Sequence, residues 1–262
     1  MIKTKKSLGQ NFLTDKNILK EISKIVPIKN KSILEIGPGT GNLTSFILEF
    51  EPKKMYVVEK DNDLISILED KFSKKLEIIN NDILKINEKL ISNETLTVFG
   101  NLPYNISTEI LSKWILNLDN KSFWFDVLVL MFQKEVADRI IAKYNSSSYG
   151  RLSILANWKL EIEKIFDIKP QCFSPKPKID SSLLHFTPKD NWVRIKEPKN
   201  IEKITRIFFN HRRKMLKKPF NQLFNGNQQI LDKLKINLKL RPQNLSLETY
   251  YKLAQEYEKL RS

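Results

Sequence analysis

Glu35-Ile36-Gly37-Pro38-Gly39-Thr40-Gly41-Asn42 is the stretch on which the reading of the fold turns. The chain has only seven glycines in 262 residues, and three of them lie in these eight positions. Residues 32–36 precede the turn as a short apolar run, a buried strand, and residues 42–50 follow it with helical spacing. Without a Cβ, the backbone at such a junction can bend sharply and let a ligand come close. The next acidic residue to end a strand is Glu59, 22 positions after Gly37. A carboxylate there can accept hydrogen bonds from both hydroxyls of a ribose.

Working outward, strand-like and helix-like segments alternate. A helical face precedes the turn over residues 14–26. Strands are expected at 55–59, 76–79, 96–99 and 127–132, with helices at 62–72, 107–118 and 134–142. This alternation predicts an α/β domain with a Rossmann-like, mostly parallel sheet covered on both faces. Late strands at 160–166 and 181–186 flank a loop with Pro170, Pro175 and Pro177. Beyond residue 188 only helical patterns remain, at 201–215, 228–234 and 247–260. The expected organisation is a cofactor-binding domain over 1–190 and a small helical domain over 191–262.

Two ligands compete for the glycine turn. A dinucleotide site wants G-x-G-x-x-G, with a pyrophosphate at the helix N-terminus. Here the third glycine comes one residue early, and Glu35 precedes the first, which would repel a pyrophosphate. The ammonium of S-adenosylmethionine would instead be favoured by that carboxylate, and the spacing resembles the first motif of class I methyltransferases. A tight turn with no ligand is the bland alternative.

After the fourth expected strand comes Gly100-Asn101-Leu102-Pro103-Tyr104-Asn105-Ile106-Ser107. Ligands of open α/β sheets bind beyond the carboxyl ends of the strands, where this block falls. An exocyclic adenine amine is a poor nucleophile, because its lone pair is delocalised into the ring. Two acceptors on its N–H groups draw the nitrogen toward tetrahedral geometry. The Asn101 side-chain oxygen and the Leu102 carbonyl are the candidate acceptors. Pro103 stiffens the loop, and Tyr104 offers a ring for the base to stack on, for which the ring alone suffices. The bland alternative is an ordinary loop with an Asx turn.

Further blocks add to these. They include Lys6-Ser7-Leu8-Gly9-Gln10-Asn11-Phe12-Leu13, Asn81-Asp82-Ile83, Phe132-Gln133-Lys134-Glu135-Val136 and Ser148-Tyr149-Gly150-Arg151-Leu152-Ser153. Later come Phe173-Ser174-Pro175-Lys176-Pro177-Lys178-Ile179-Asp180-Ser181-Ser182, a basic run over 208–216, and Arg241-Pro242 with Leu245-Ser246. Together they resemble the ribosomal RNA small-subunit adenine N6-dimethyltransferase family along essentially the whole chain. The resemblance implies that Asn11, Leu13, Gly37, Glu59, Asp82 and Asn101 contact S-adenosylmethionine. Asp82 would accept from the cofactor's adenine amine. It implies two methyl transfers to each of two adjacent adenosines in the 3′-terminal hairpin of 16S ribosomal RNA, during small-subunit biogenesis. The erythromycin-resistance methylases of 23S ribosomal RNA are a related branch. They usually show Ile-Pro-Tyr and Ser-Gln-Asn-Phe where this chain has Leu102-Pro103-Tyr104 and Gly9-Gln10-Asn11-Phe12, which favours the small-subunit branch.

Charge points to the same partner. The net charge is +15, and residues 191–262 hold 17 basic against 6 acidic residues. A basic lobe beside a nearly neutral one suits a polyanion, nucleic acid or an anionic membrane surface. Arg212, Arg213 and Lys214 are the candidate phosphate contacts. Phe173 reads either as a second wall for the base opposite Tyr104 or as packing. His211 reads as a solvated helix residue, and lysine clusters such as Lys217 and Lys218 as solvated surface.

A single cysteine, Cys172, excludes an intramolecular disulfide, and with only His185 and His211 besides, no metal site is expected. The longest apolar run, residues 127–132, is too short to span a bilayer, and no signal peptide is read at the start. A cytoplasmic setting is therefore expected, and the enzyme is expected to be a monomer that acts on the small subunit or its precursor. Two rivals remain: a small-molecule methyltransferase, which would need no basic lobe, and a non-catalytic assembly factor, which would not need the Asn101 to Tyr104 loop.

Overall fold

The computed structural model describes residues 5, 9–118 and 123–261. Lys3, Lys6, Ser7 and Leu8, which belong to the N-terminal cluster and motif, lie outside the described residues. The chain opens with a two-residue strand β1 (Phe12–Leu13) and helix α1 (Lys16–Ile22). The Asp15 carboxylate accepts from the backbone N–H groups of Asn17 and Ile18, which caps α1. Then follow β2 (Ser32–Ile36), α2 (Asn42–Leu48), β3 (Lys54–Glu59), α3 (Asn62–Phe72), β4 (Glu77–Asn80), β5 (Leu96–Asn101), α4 (Ser107–Asn117) and β6 (Phe125–Gln133). Next come α5 (Lys134–Ile140), α6 (Arg151–Lys159), β7 (Leu160–Ile168), β8 (Phe173–Ser174) and β9 (Ser181–Pro188). Helices α7 (Lys199–Phe209), α8 (Lys217–Phe224), α9 (Gln228–Leu234) and α10 (Leu247–Lys259) complete the order.

Seven strands form one sheet in the order β4-β3-β2-β5-β6-β9-β7. The β4–β3, β3–β2, β2–β5 and β5–β6 pairs are parallel, and β6–β9 is antiparallel. All five residues of β2 are buried, as a central strand covered on both faces must be. The chain runs from β2 outward to β4, then returns to place β5 on the other side of β2. That reversal opens a crevice at the carboxyl ends of β2 and β5, the usual ligand position in such sheets. The register sets its walls: Ile36 lies opposite Gly100, so the glycine turn and the Asn101 loop leave the sheet side by side.

Contacts divide the chain into two compact units. The first comprises residues 1–111, 121–137 and 162–188 and holds nearly all of the sheet. Its core gathers Leu19, Ile22, Ile33, Val57, Leu68, Phe99, Val129 and Met131, with Leu13 and Phe173. The second comprises residues 112–120, 138–161 and 189–262. The boundary expected at 190 marks only the last crossing, because α6 also belongs to the second unit.

Helix α6 escaped the sequence reading for a physical reason. Ser153, Ile154, Leu155, Ala156, Trp158 and Lys159 are all buried, so no polar stripe marks the helical period. Within its own unit Trp158 donates to the Val193 carbonyl (2.8 Å), and the Tyr251 hydroxyl donates to the Ile154 carbonyl (2.9 Å). Lys217 and Lys218 are exposed, as expected, and open helix α8, a helix the sequence pattern does not show, which buries Phe220 and Phe224. The helix expected over 201–215 ends at Phe209. His211 and Arg212 continue as short-range turns, and Leu216 donates its N–H to the Leu240 carbonyl, which draws the chain away from the helix axis.

Candidate active site

A cavity of about 180 Å³ lies at the crevice, lined by residues from the N-terminal segment, the glycine turn, Glu59, Asp82 and the Asn101 to Ile106 loop. Gly37 and Gly39 of the glycine turn line it, and Gly37, Gly39 and Gly41 have φ of 65°, 59° and 73°. Such values suit glycine and strain other residues. The three differ in what they permit. A Cβ on Gly39 would meet the Phe12 ring at 2.7 Å, and one on Gly41 the Phe72 ring at 2.3 Å, so these two are needed for packing. A Cβ on Gly37 would meet only the Asn101 carbonyl oxygen, at 3.7 Å, and would otherwise stand in space a ligand can use.

Glu59 ends β3 beside the cavity and is buried. Its Oε1 accepts from the Lys60 N–H (2.8 Å) and the Asp61 N–H (2.9 Å). Oε2 accepts only a long 3.4 Å contact from the Gly39 N–H. Burial pushes its carboxyl up, and the three backbone donors oppose that shift. The arrangement fixes the carboxylate and leaves Oε2 with capacity for a hydroxyl pair. Asp82 also lines the cavity and is held down by the Lys60 ammonium, 2.8 Å from Oδ2. Its Oδ1 accepts from the Leu84 N–H (3.0 Å).

Asn101 stands where β5 ends. Its Nδ2 donates to the backbone carbonyl of Asn11 at 2.8 Å, while its Oδ1 takes no hydrogen bond among the described residues. Asn11 thus enters through its carbonyl, from a segment that forms one wall of the cavity. Leu102 is buried and lines the cavity. Pro103 accepts from the Ile106 N–H (3.1 Å), which tightens the loop. Tyr104 lines the cavity, and its hydroxyl is 2.5 Å from Ser181 Oγ. Burial raises its phenol pKa. The hydroxyl, read as dispensable, is therefore an anchor for the ring.

Three expected residues sit elsewhere. Phe173 does not line this cavity; it is 2% exposed, pairs with Leu13 across β1 and β8, and packs in the core. Leu13 is buried beside it and reaches the glycine-turn helix through its carbonyl, which accepts from Asn42 Nδ2 at 2.8 Å. Glu35, read as a fixed negative charge, lies beneath the turn and is 3% exposed. It accepts from Thr44 Oγ1 (2.6 Å), and burial pushes its pKa up to about 7. Burial therefore favours its neutral form, which sets it apart from the exposed carboxylates of the chain.

In the second unit, Arg213 and Lys214 are exposed, whereas Arg212 is half-buried and donates to the Ser147 carbonyl. Arg212 is held by its own fold, which limits it as a phosphate ligand. Cys172 carries a pKa raised by burial and by Asp15, so it is an unreactive thiol. Gln10 and Ser181 lie inside motifs quoted above but had no role assigned to them, and Lys60 and Asp61 were signalled only by adjacency to Glu59.

Comparison with known proteins agrees with this geometry. The family model described as ribosomal RNA adenine dimethylase matches residues 1–259. A protein of Pelagibacter ubique named ribosomal RNA small subunit methyltransferase A is 65% identical over 260 residues, covering 99% of each chain. The crystal structure of a dimethyladenosine transferase from Plasmodium falciparum superposes with a TM-score of 0.77 at 28% identity, covering 95% of this chain and 98% of that one. The 23S ribosomal RNA methyltransferase ErmE shares the fold at a TM-score of 0.68 and 20% identity, covering 94% of this chain and 99% of that one. The crevice at the β2–β5 switch, the match over nearly the whole length and the close relative together establish that the chain belongs to the ribosomal RNA adenine dimethylase family.

Proposed function

We propose that this enzyme transfers two methyl groups to the N6 amine of each of two adjacent adenosines in the 3′-terminal hairpin of small-subunit ribosomal RNA. It acts as a monomer in the cytoplasm, on the small subunit or its precursor. The methyl donor is S-adenosylmethionine, which supplies an electrophilic methyl on a sulfonium. One observation carries the reading: Asn101 is tied through its amide nitrogen, so its oxygen is left to a ligand in the cavity that Glu59 and the glycine turn also line. That oxygen and the Leu102 carbonyl accept the two N–H groups of the target amine. The Tyr104 ring stacks on the base, held by Ser181. Glu59 receives the cofactor ribose, and Asp82 its adenine amine, in exchange for the Lys60 contact.

Glu59→Ala is expected to weaken S-adenosylmethionine binding by about 1.5–3 kcal/mol, the worth of hydrogen bonds to a charged group. RNA affinity stays as it was. Titration calorimetry reads both, and unaltered cofactor affinity would remove Glu59 from the site.

The exposed cations of the second unit give the reading its polyanion partner. Each phosphate contact adds about 0.9 to the steepness of the salt dependence on a duplex, by analogy with DNA. Replacing Arg213 and Lys214 by Ala is expected to flatten that dependence by roughly two units. A slope and affinity equal to wild type would mean that this turn faces away from the RNA. Large-subunit modification, as in the erythromycin-resistance methylases, is the second reading. It rests on the shared fold alone.

A further inference from the structure

Asn101 is held by a neighbour that is itself held. Its amide donates to the carbonyl of Asn11, and Asn11 follows Gln10, whose Nε2 donates to Asp61 Oδ2 at 2.8 Å. Asp61 is 4% exposed, and its Oδ1 takes the Lys5 ammonium at 2.5 Å. Gln10 Oε1 in turn accepts from the backbone N–H of Lys5 at 2.7 Å. The clasp therefore joins a segment near the N-terminus to the N-cap of α3, 51 residues away in sequence. Burial works to raise the Asp61 carboxyl, and the Lys5 and Gln10 donors outweigh it and hold it below its ordinary value. A paired, desolvated carboxylate of this kind fixes geometry better than a surface ion pair does.

The same residue touches the cofactor side. The Asp61 N–H donates to Glu59 Oε1, the oxygen that does not face the ribose in our reading. Asn105 lies close to Gly9, where an added Cβ would meet its Oδ1 at 3.0 Å. The segment is thus tied by hydrogen bonds at Asp61 and at Asn101.

We propose that the Gln10–Asp61 clasp is a positioning device for the methyl transfer. It holds the Asn11 carbonyl against Asn101, and so keeps the amide turned with its oxygen toward the target amine. Without it the Asn11 carbonyl drifts, the Asn101 amide is free to rotate, and an N–H donor can face the amine instead of an acceptor. Neither Gln10 nor Asp61 touches the reacting atoms through its side chain. Their effect on the chemical step passes through Asn101, and this inference rests on the role given to Asn101 above.

A double-mutant cycle on the full-length enzyme tests it, with single-turnover methyl transfer to small subunits as the readout and cofactor affinity measured alongside. Gln10→Ala is expected to slow the chemical step by about ten- to a hundred-fold, the scale on which misplacement of a positioned group is felt. In an Asn101→Ala background the same change is expected to have little further effect, because the group it positions is gone. The exchange Gln10→Glu with Asp61→Asn re-forms the contact with donor and acceptor swapped, and is expected to recover most of the rate lost in either single variant. If Asn101→Ala is slow but Gln10→Ala multiplies its defect, the clasp acts otherwise and the inference falls while the role of Asn101 stands. If Asn101→Ala turns over at the wild-type rate, the reading of the site falls first.

Discussion

Asn101→Ala is expected to slow single-turnover methyl transfer by about a hundred- to a thousand-fold, with RNA binding unchanged. The variant removes one of two acceptors on the amine and leaves the glycine turn and Glu59 in place. Ground-state adenine loses little, because its amine is planar and its N–H groups find water. As the nitrogen develops positive, tetrahedral character, its N–H groups become stronger donors and need an oriented acceptor. The loss therefore falls mainly on the transition state. By analogy with a single oxyanion-hole donor, one such oriented group is worth about 2.7–4 kcal/mol. Asn101→Asp is an informative companion. It keeps an acceptor but loses the donor that the Asn11 carbonyl receives, and so leaves two oxygens facing each other across the present 2.8 Å contact.

Glu35→Gln is expected to make the protein more stable than wild type in neutral and alkaline solution. The folded-state pKa of Glu35 is about 7 against an ordinary 4.5. Burial is the main cause, reinforced by Glu59 and opposed by the Thr44 hydroxyl and the Lys71 charge. A raised carboxyl pKa means the folded chain holds a proton that the unfolded chain gives up. The stability this group confers is fully present below pH 4.5 and is lost as the pH rises toward 7. Over that window the shift corresponds to about 3 kcal/mol, at about 1.4 kcal/mol per unit. The amide does not titrate and keeps a partner for Thr44. Urea midpoints at pH 5 and pH 8 read the difference: the variant gains on wild type as the pH rises. Parallel curves for the two proteins would show that Glu35 is not the buried titrating group.

The legible part of the site is the part that is local in sequence. Three scarce glycines at a strand–helix junction, an acid ending the next strand, and Asn-Leu-Pro-Tyr after a later strand each announce a crevice at the sheet's carboxyl edge. The alternation of periods gave the parallel sheet and its helices to within a few residues. What could not be read is non-local. The bond between Tyr104 and Ser181 spans 77 positions and turns an apparently spare hydroxyl into an anchor. Phe173 carries an aromatic ring suited to either role, and only its pairing with Leu13 shows it in the core. Glu35 looks like a charge in sequence, and burial beneath its own turn raises its pKa and favours the neutral form. Helix α6 lacks a visible period because nearly every face is covered, and Arg212 loses its freedom to the Ser147 carbonyl.

The most direct test of the account is mass mapping of ribosomal RNA after unmethylated small subunits are incubated with the protein and S-adenosylmethionine carrying a labelled methyl group. The account predicts label on two adjacent adenosines of the 3′-terminal hairpin, two methyl groups on each, and none on large-subunit RNA. Label confined to large-subunit RNA, or none on either RNA from a protein that binds the cofactor, would contradict it.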